Sequence, residues 1–151
     1  MLSILSLLVD FGLVVLTWLV QCIIYPSFSR VDIQQFNQWH TTYTKRITLI
    51  VAPLMLAQFF IAIYWLIVSN MDWVTVSYFL LVVLTWVITF LRAVPLHGAL
   101  DAENKERMIP KLIRVNAWRS VIWTLVFVFH LVNFPLSAHL IVWRYFSFSP
   151  V

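Results

Sequence analysis

The chain has 151 residues, of which 62% are hydrophobic and 11% are charged, and its mean hydropathy is +0.92. Soluble domains are roughly 45–50% apolar and about 25% charged, so this composition excludes an ordinary soluble domain and predicts a protein whose surface faces lipid. Membrane topology explains the net charge of +4 better than nucleic acid does, and we expect no nucleic-acid partner. The single cysteine, Cys22, excludes an internal disulfide and a cysteine-based metal cage.

Four apolar segments are long enough to cross a bilayer as helices, since about 20 helical residues span the hydrocarbon core. They are residues 2–25, 47–68, 73–94 and 117–136. A transmembrane β-barrel would instead show alternating patterning in strands of about 10 residues. The sequence therefore predicts an all-α, polytopic membrane protein: a four-transmembrane-helix bundle that forms one domain over residues 1–151.

The segments between the spans also carry helical signals. Before the second span, apolar and aromatic residues recur at helical spacing, which predicts an amphipathic helix leading into that span. Its apolar face would consist of Ile33, Phe36, Trp39, His40, Tyr43 and Ile47, opposite Gln34, Gln38, Thr41 and Lys45. Pro53 is expected to kink the second helix, and Pro110 is expected to begin the fourth. Residues 69–72 predict a tight turn, and the tail from Leu136, with Trp143, Arg144 and Tyr145, is expected to rest at the lipid headgroups.

The distribution of Lys and Arg predicts the orientation. Nine of the ten basic residues lie in residues 26–46 and 92–119, and the tenth is Arg144. Because basic loops stay in the cytoplasm, both connections and the amphipathic helix should be cytoplasmic. Both termini should then be non-cytoplasmic, in a multi-pass protein of a bacterial inner membrane.

Polar residues within the spans fall into two layers, and such residues should face the bundle interior. The outer layer holds Asp10 and His130, with Tyr78 between them, and pairing would relieve the desolvation of both charged groups. The inner layer contains Gln21, Tyr25, Arg92, Asn116, Trp118 and Arg119, flanked by His40, Tyr43 and His97. Gln58, Thr85 and Thr89 are typical of residues that only join helices.

The inner layer predicts a pocket for a lipophilic molecule with an anionic or polar head. Arginine suits a bidentate grip on carboxylate or phosphate, so Arg92 or Arg119 would hold the anion. Gln21, Tyr25, Tyr43, Asn116 and Trp118 would complete the binding site. In an enzyme, His97 or His40 would act as general base beside Arg119. Packing and headgroup contact remain the alternative explanation.

Four stretches of the chain resemble small bacterial four-helix membrane proteins of the anthrone-oxygenase-like group. They are Val94–His97 (VPLH), Asn116–Arg119 (NAWR), Gln21–Pro26 and Phe36–His40. That group shares four spans, a Pro-containing motif after the third and an Asn/Trp/Arg cluster that opens the fourth. Members tied to chemistry oxidise a polycyclic phenolic anthrone with molecular oxygen and no cofactor. The resemblance implies that His97, Asn116 and Arg119 bind and polarise a substrate, whereas the charged run Asp101–Lys111 departs from the pattern and leaves the substrate open.

Three functions stay open on sequence grounds. The first is a non-catalytic membrane protein that binds a lipid or quinone-like molecule, or that serves as a subunit of a membrane complex or homo-oligomer. The second is a cofactor-independent enzyme acting on a lipophilic phenol. The third is a haem protein, although only His130 clearly lies within a span and no two histidines have metal-ligand spacing on one helix. No metal site is predicted, and the cofactor is left unassigned.

Overall fold

The computed structural model describes residues 2–134, and this part of the chain forms an all-α bundle without strands. Its four helices are α1 (Leu2–Arg30), α2 (Phe36–Val68), α3 (Trp73–Ala99) and α4 (Lys105–Asn133). Each is long and apolar enough to cross a membrane. The predicted all-α four-helix fold is therefore confirmed.

The helices form a closed ring. Each helix packs against the next along the chain, and α4 packs against α1. Short connections make sequential helices antiparallel neighbours. One end of the bundle, here called the basic end, carries the connections 31–35 and 100–104. The opposite end, the turn end, carries residues 69–72.

The turn end matches its prediction. Asn70 and Met71 adopt positive φ angles of 55° and 58°, which reverses the chain between α2 and α3. Asp72 then caps α3, because its carboxylate accepts hydrogen bonds from the backbone N–H and the hydroxyl of Thr75, both at 2.8 Å. These hydrogen bonds lower the pKa of Asp72 below its ordinary value of 3.8.

The amphipathic helix is the first part of α2. Phe36 and His40 are buried there, whereas Gln38 and Thr41 are exposed. Ile33 departs from the prediction, because it precedes the helix and is 56% exposed. The α-helix runs without interruption through Pro53.

Helix α4 begins earlier than predicted. It starts at Lys105, which places Pro110 inside the helix rather than at its first turn. Two reciprocal hydrogen bonds form the turn that precedes the helix. The N–H of Asp101 donates to Asn104 Oδ1, and the N–H of Asn104 donates to Asp101 Oδ1. At the other end α4 is helical to Asn133. The predicted end of the fourth span at Leu136 and the amphipathic tail lie outside the described residues.

Helices α1 and α3 share an irregularity at the basic end. Each contains one π turn, Val20–Ile24 in α1 and Thr89–Ala93 in α3. A proline follows two residues later in each case, Pro26 and Pro95. Proline has no N–H for the carbonyl four residues back, and its ring clashes with that carbonyl. The wider turn relieves the clash and re-aims the residues beyond it, as π turns do at many functional sites.

Candidate functional site

A cavity of about 120 Å³ lies inside the bundle near the basic end, and all four helices line it. Thr48 on α2 and Val94 on α3 both line this cavity and are exposed on the outer surface, so it opens between α2 and α3. Its polar lining consists of Thr17, Tyr25, Tyr43, Thr48, Thr89, His97, Asn116 and Arg119.

Arg119 is the cationic centre of this cavity. Its side chain is only 7% exposed, and it is the one buried Lys or Arg within residues 2–134. Nη1 donates to Asn116 Oδ1 at 3.2 Å, and the guanidinium lies 5.0 Å from the ring centroid of Trp123. Tyr25 and Tyr43 line the same cavity. In the described part of the chain no carboxylate pairs with Arg119, and its Nε–H has no hydrogen-bond partner.

Asn116 ties this arginine to α1. While its Oδ1 accepts from Arg119, its Nδ2 donates to the backbone carbonyl of Thr17 at 3.1 Å and to Gln21 Oε1 at 3.0 Å. The amide is 1% exposed. Asn116 therefore orients the guanidinium directly. Gln21 does not line the cavity, and it orients the guanidinium indirectly through its hydrogen bond with Asn116.

Tyr25 and His97, which line the same cavity, form a hydrogen-bonded chain with His40. The hydroxyl of Tyr25 lies 2.8 Å from His97 Nε2, and His97 Nδ1 lies 3.1 Å from His40 Nε2. One consistent neutral assignment has Tyr25 donating to His97 and His97 donating to His40. If both rings were protonated, two N–H groups would face each other, so at most one ring carries a charge. This arrangement can accept one proton and pass it along the chain.

Aromatic packing holds this chain in place. Phe28 is fully buried, and its ring contacts those of Phe36, His40 and Tyr43. The ring of Phe36 stacks on His40, with 5.7 Å between centroids. Phe36 was expected on the apolar face of the amphipathic helix, whereas Phe28 lies between the predicted first span and that helix, where no periodic pattern marks it.

Two predicted site residues lie outside the polar cluster at the cavity. Arg92 is exposed, because the π turn in α3 takes one additional residue and the inward position falls on Ala93, which is 3% exposed. Trp118 is 63% exposed, because two helical steps of about 100° carry it to the face opposite Asn116. The expectation that both belong to the inner polar cluster is wrong. Gln21, Tyr25, His40, Tyr43, His97, Asn116 and Arg119 do come together.

The predicted pair of Asp10 and His130 is present in the turn-end half of the bundle, at 2.5 Å between Oδ2 and Nδ1. Asp10 also accepts from Gln58 Nε2 at 2.6 Å and from the Tyr78 hydroxyl at 3.0 Å. Gln58 in turn accepts from Trp123 Nε1 at 3.1 Å. Gln58 thus joins α2 to α1 and α4, and Trp123 lies between this network and Arg119.

Metal ligands do not converge anywhere in residues 2–134, where no group of three His, Cys, Asp or Glu side chains could hold a metal ion. His40 and His97 face each other rather than a common point. Comparison of the chain with protein-family models, with curated proteins and with solved structures finds no match. The function therefore has to be inferred from the geometry of the cavity.

Proposed function

We propose that this chain is an integral membrane protein that binds a lipophilic molecule through an anionic or strongly polar oxygen held by Arg119. The supporting observation is that the buried guanidinium group of Arg119 lines a cavity, leaves its Nε–H without a hydrogen-bond partner and has no carboxylate partner among the described residues. A buried charge within a membrane is expensive and marks a binding or transport function by default. An oxyanion in the cavity would neutralise it.

The size of the cavity sets the shape of the ligand. Its volume of about 120 Å³ is well below the roughly 300–1,000 Å³ of pockets for drug-sized ligands. Only a head group or one ring can enter. The remainder would leave through the opening between α2 and α3 and lie among the acyl chains of the bilayer. Lipids and quinone-like molecules have this form.

The test is mass spectrometry of the full-length protein released intact from mild detergent. We expect the wild type to carry a small lipophilic molecule and Arg119→Met to lose it. The variant should fold, because exchanging a buried charged residue for an apolar one of similar volume is often tolerated. Arg107→Gln is the matched control, since Arg107 is exposed on the same helix and does not line the cavity. A wild type without a bound molecule, or equal retention in Arg119→Met, would contradict the proposal.

A second candidate, an enzyme acting on a phenolic or enolic compound, rests on the hydrogen-bonded chain of Tyr25, His97 and His40 beside Arg119. In such an enzyme, the hydrogen-bonded side chains would take up the proton of the substrate, and Arg119 would stabilise the resulting oxyanion. The resemblance to the anthrone-oxygenase-like group points to anthrones as the first substrates to try, with molecular oxygen as oxidant. His97→Asn should abolish turnover in vesicles while the protein still binds the anthrone. Unchanged turnover would leave binding as the function.

The orientation is part of the proposal. Both basic connections lie in the cytoplasm and both ends of the chain lie outside it, as the distribution of Lys and Arg indicates. In a Cys22→Ala background, an impermeant maleimide should label Asn70→Cys at the turn end in intact cells. Glu103→Cys at the basic end should react only after permeabilisation. The reverse pattern would contradict the orientation, and labelling of both sites from one side would contradict the crossing.

A further inference from the structure

A second, larger cleft lies on the outside of the bundle at the basic end, between α3 and α4. Its volume is about 450 Å³. Three of its lining residues are cationic, namely Arg92 on α3 and Lys111 and Arg114 on α4. Its apolar wall includes Leu91, Leu96 and Val115. None of these six residues lines the cavity of Arg119, so this α3–α4 cleft is a separate feature.

The three cations of the cleft are available to a ligand. All three are exposed, and within residues 2–134 none of them forms an ion pair with Asp or Glu. Lys111 and Arg114 are three residues apart on one helix, so they share a face. Arg92 approaches from the opposite wall, since the π turn aims it outwards. Two guanidinium groups and one ammonium around a single opening match a phosphate group.

The surroundings of these cations are apolar. Leu91 is 68% exposed, and Leu84 and Leu80 continue the same outward stripe along α3 towards the turn end. On α4, Trp118 lies one turn beyond Arg114 and is 63% exposed. Tryptophan is enriched at the level of the headgroups. The α3–α4 cleft therefore offers cations at the basic end of the bundle, and apolar surface continues from it along α3 towards the turn end.

We propose that the α3–α4 cleft binds an anionic glycerophospholipid, with Arg92, Lys111 and Arg114 around its phosphate and its acyl chains along the outer face of α3. The apolar wall favours a lipid over free phosphate, and clefts of basic residues between membrane helices at the cytoplasmic side suit anionic headgroups. The inference rests on the proposed membrane embedding and orientation, but not on the ligand at Arg119.

The experiment measures which lipid the full-length protein retains. Protein in mild detergent is mixed with equal amounts of phosphatidylglycerol and phosphatidylcholine, and bound lipids are counted by mass spectrometry of the intact complex. We expect the wild type to retain phosphatidylglycerol in preference. The triple variant Arg92→Gln, Lys111→Gln, Arg114→Gln should bind it about 10- to 100-fold more weakly, since each basic residue near a membrane surface contributes measurably to the attraction.

A control variant that loses the same number of charges elsewhere distinguishes a specific lipid site from general electrostatic attraction to anionic lipid. The triple variant Arg30→Gln, Lys45→Gln, Arg46→Gln removes three exposed cations from the other basic segment, and it should bind phosphatidylglycerol as the wild type does, within about threefold. Circular dichroism and a single elution peak verify the fold of both triples. If the cleft triple misfolds, the single changes Arg92→Gln and Arg114→Gln should each weaken retention, and the charge-preserving Arg92→Lys should largely keep it.

Several outcomes would overturn the proposal: equal retention of the two lipids, equal losses in the two triples, unchanged retention in the cleft variant, or displacement of the lipid by inorganic phosphate. The failure of the proposed function looks different. In that case the wild type and Arg119→Met carry the same bound molecules, while the cleft still binds phosphatidylglycerol in preference to phosphatidylcholine. A protein that alkaline washing releases from membranes would instead refute the embedding on which the cleft proposal depends.

Discussion

At the scale of single residues, Asp10 is a buried carboxylate with hydrogen-bond partners on all three of the other helices. It is fully buried and receives hydrogen bonds from α2, α3 and α4 through Gln58, Tyr78 and His130. A carboxylate at this position therefore connects all four helices. His130 is the only ionisable residue other than tyrosine among these three partners, and it contacts Asp10 Oδ2 through Nδ1.

Removal of His130 alone should destabilise the bundle more than replacement of both Asp10 and His130 by uncharged residues. His130→Leu leaves the Asp10 carboxylate buried with neutral donors only, and breaking a buried pair in this way costs about 3–5 kcal/mol. In the double variant Asp10→Asn, His130→Leu, the asparagine still accepts from Gln58 and Tyr78 without a charge, so part of that loss should be recovered. Unfolding in mixed micelles measures the free energies. A double variant less stable than His130→Leu alone would contradict this account.

At the scale of the helices, the two π turns determine which residues reach the cavity. Tyr25 follows the π turn of α1 directly, and His97 lies one turn beyond that of α3. Their hydrogen bond joins the two irregular helices. The chemical arrangement at the cavity therefore depends on backbone geometry that Pro26 and Pro95 impose.

Pro95→Ala should release this geometry. Alanine restores the N–H for the carbonyl of Leu91, so the π turn can close to an α turn and rotate the following residues by about 100°. His97 should then lose its hydrogen bond to Tyr25, which ¹⁵N spectra of the imidazole would report. Pro53→Ala is the matched control, since the α-helix around Pro53 has no π turn, and its His97 spectrum should be unchanged. An unaltered spectrum in Pro95→Ala would show that other contacts hold the π turn.

Residue patterns predict the helices of this chain better than they predict its site. The bundle follows from apolar segments of about 20 residues, and the pair of Asp10 and His130 follows from depth alone. Arg92 was misplaced because an uninterrupted helical period was assumed for α3. Trp118 was misplaced because it adjoins Asn116 and Arg119 in sequence, although the helix turns it away. The partners of Gln58 lie on two other helices, and no local pattern encodes them.

At the scale of the whole molecule, the two polar regions are connected through Trp123. This fully buried residue donates to Gln58, which donates to Asp10, and its ring also lies against the guanidinium of Arg119. The cavity near the basic end and the network in the turn-end half thus share one side chain. Sites with a shared partner are expected to be energetically coupled, whereas distant independent sites are not.

A double-mutant cycle between Asp10→Asn and Arg119→Met should therefore be non-additive in the free energy of unfolding, by about 0.5 kcal/mol or more. In a Trp123→Leu background, which removes both the indole N–H and the aromatic face, the same two changes should become additive. Trp123→Phe keeps the face and loses only the donor, so it separates the two links. Coupling that vanishes in Trp123→Phe runs through the hydrogen bond to Gln58, and coupling that persists there runs through packing of the ring. Additivity in the native background would mean that the two regions are independent despite their contact.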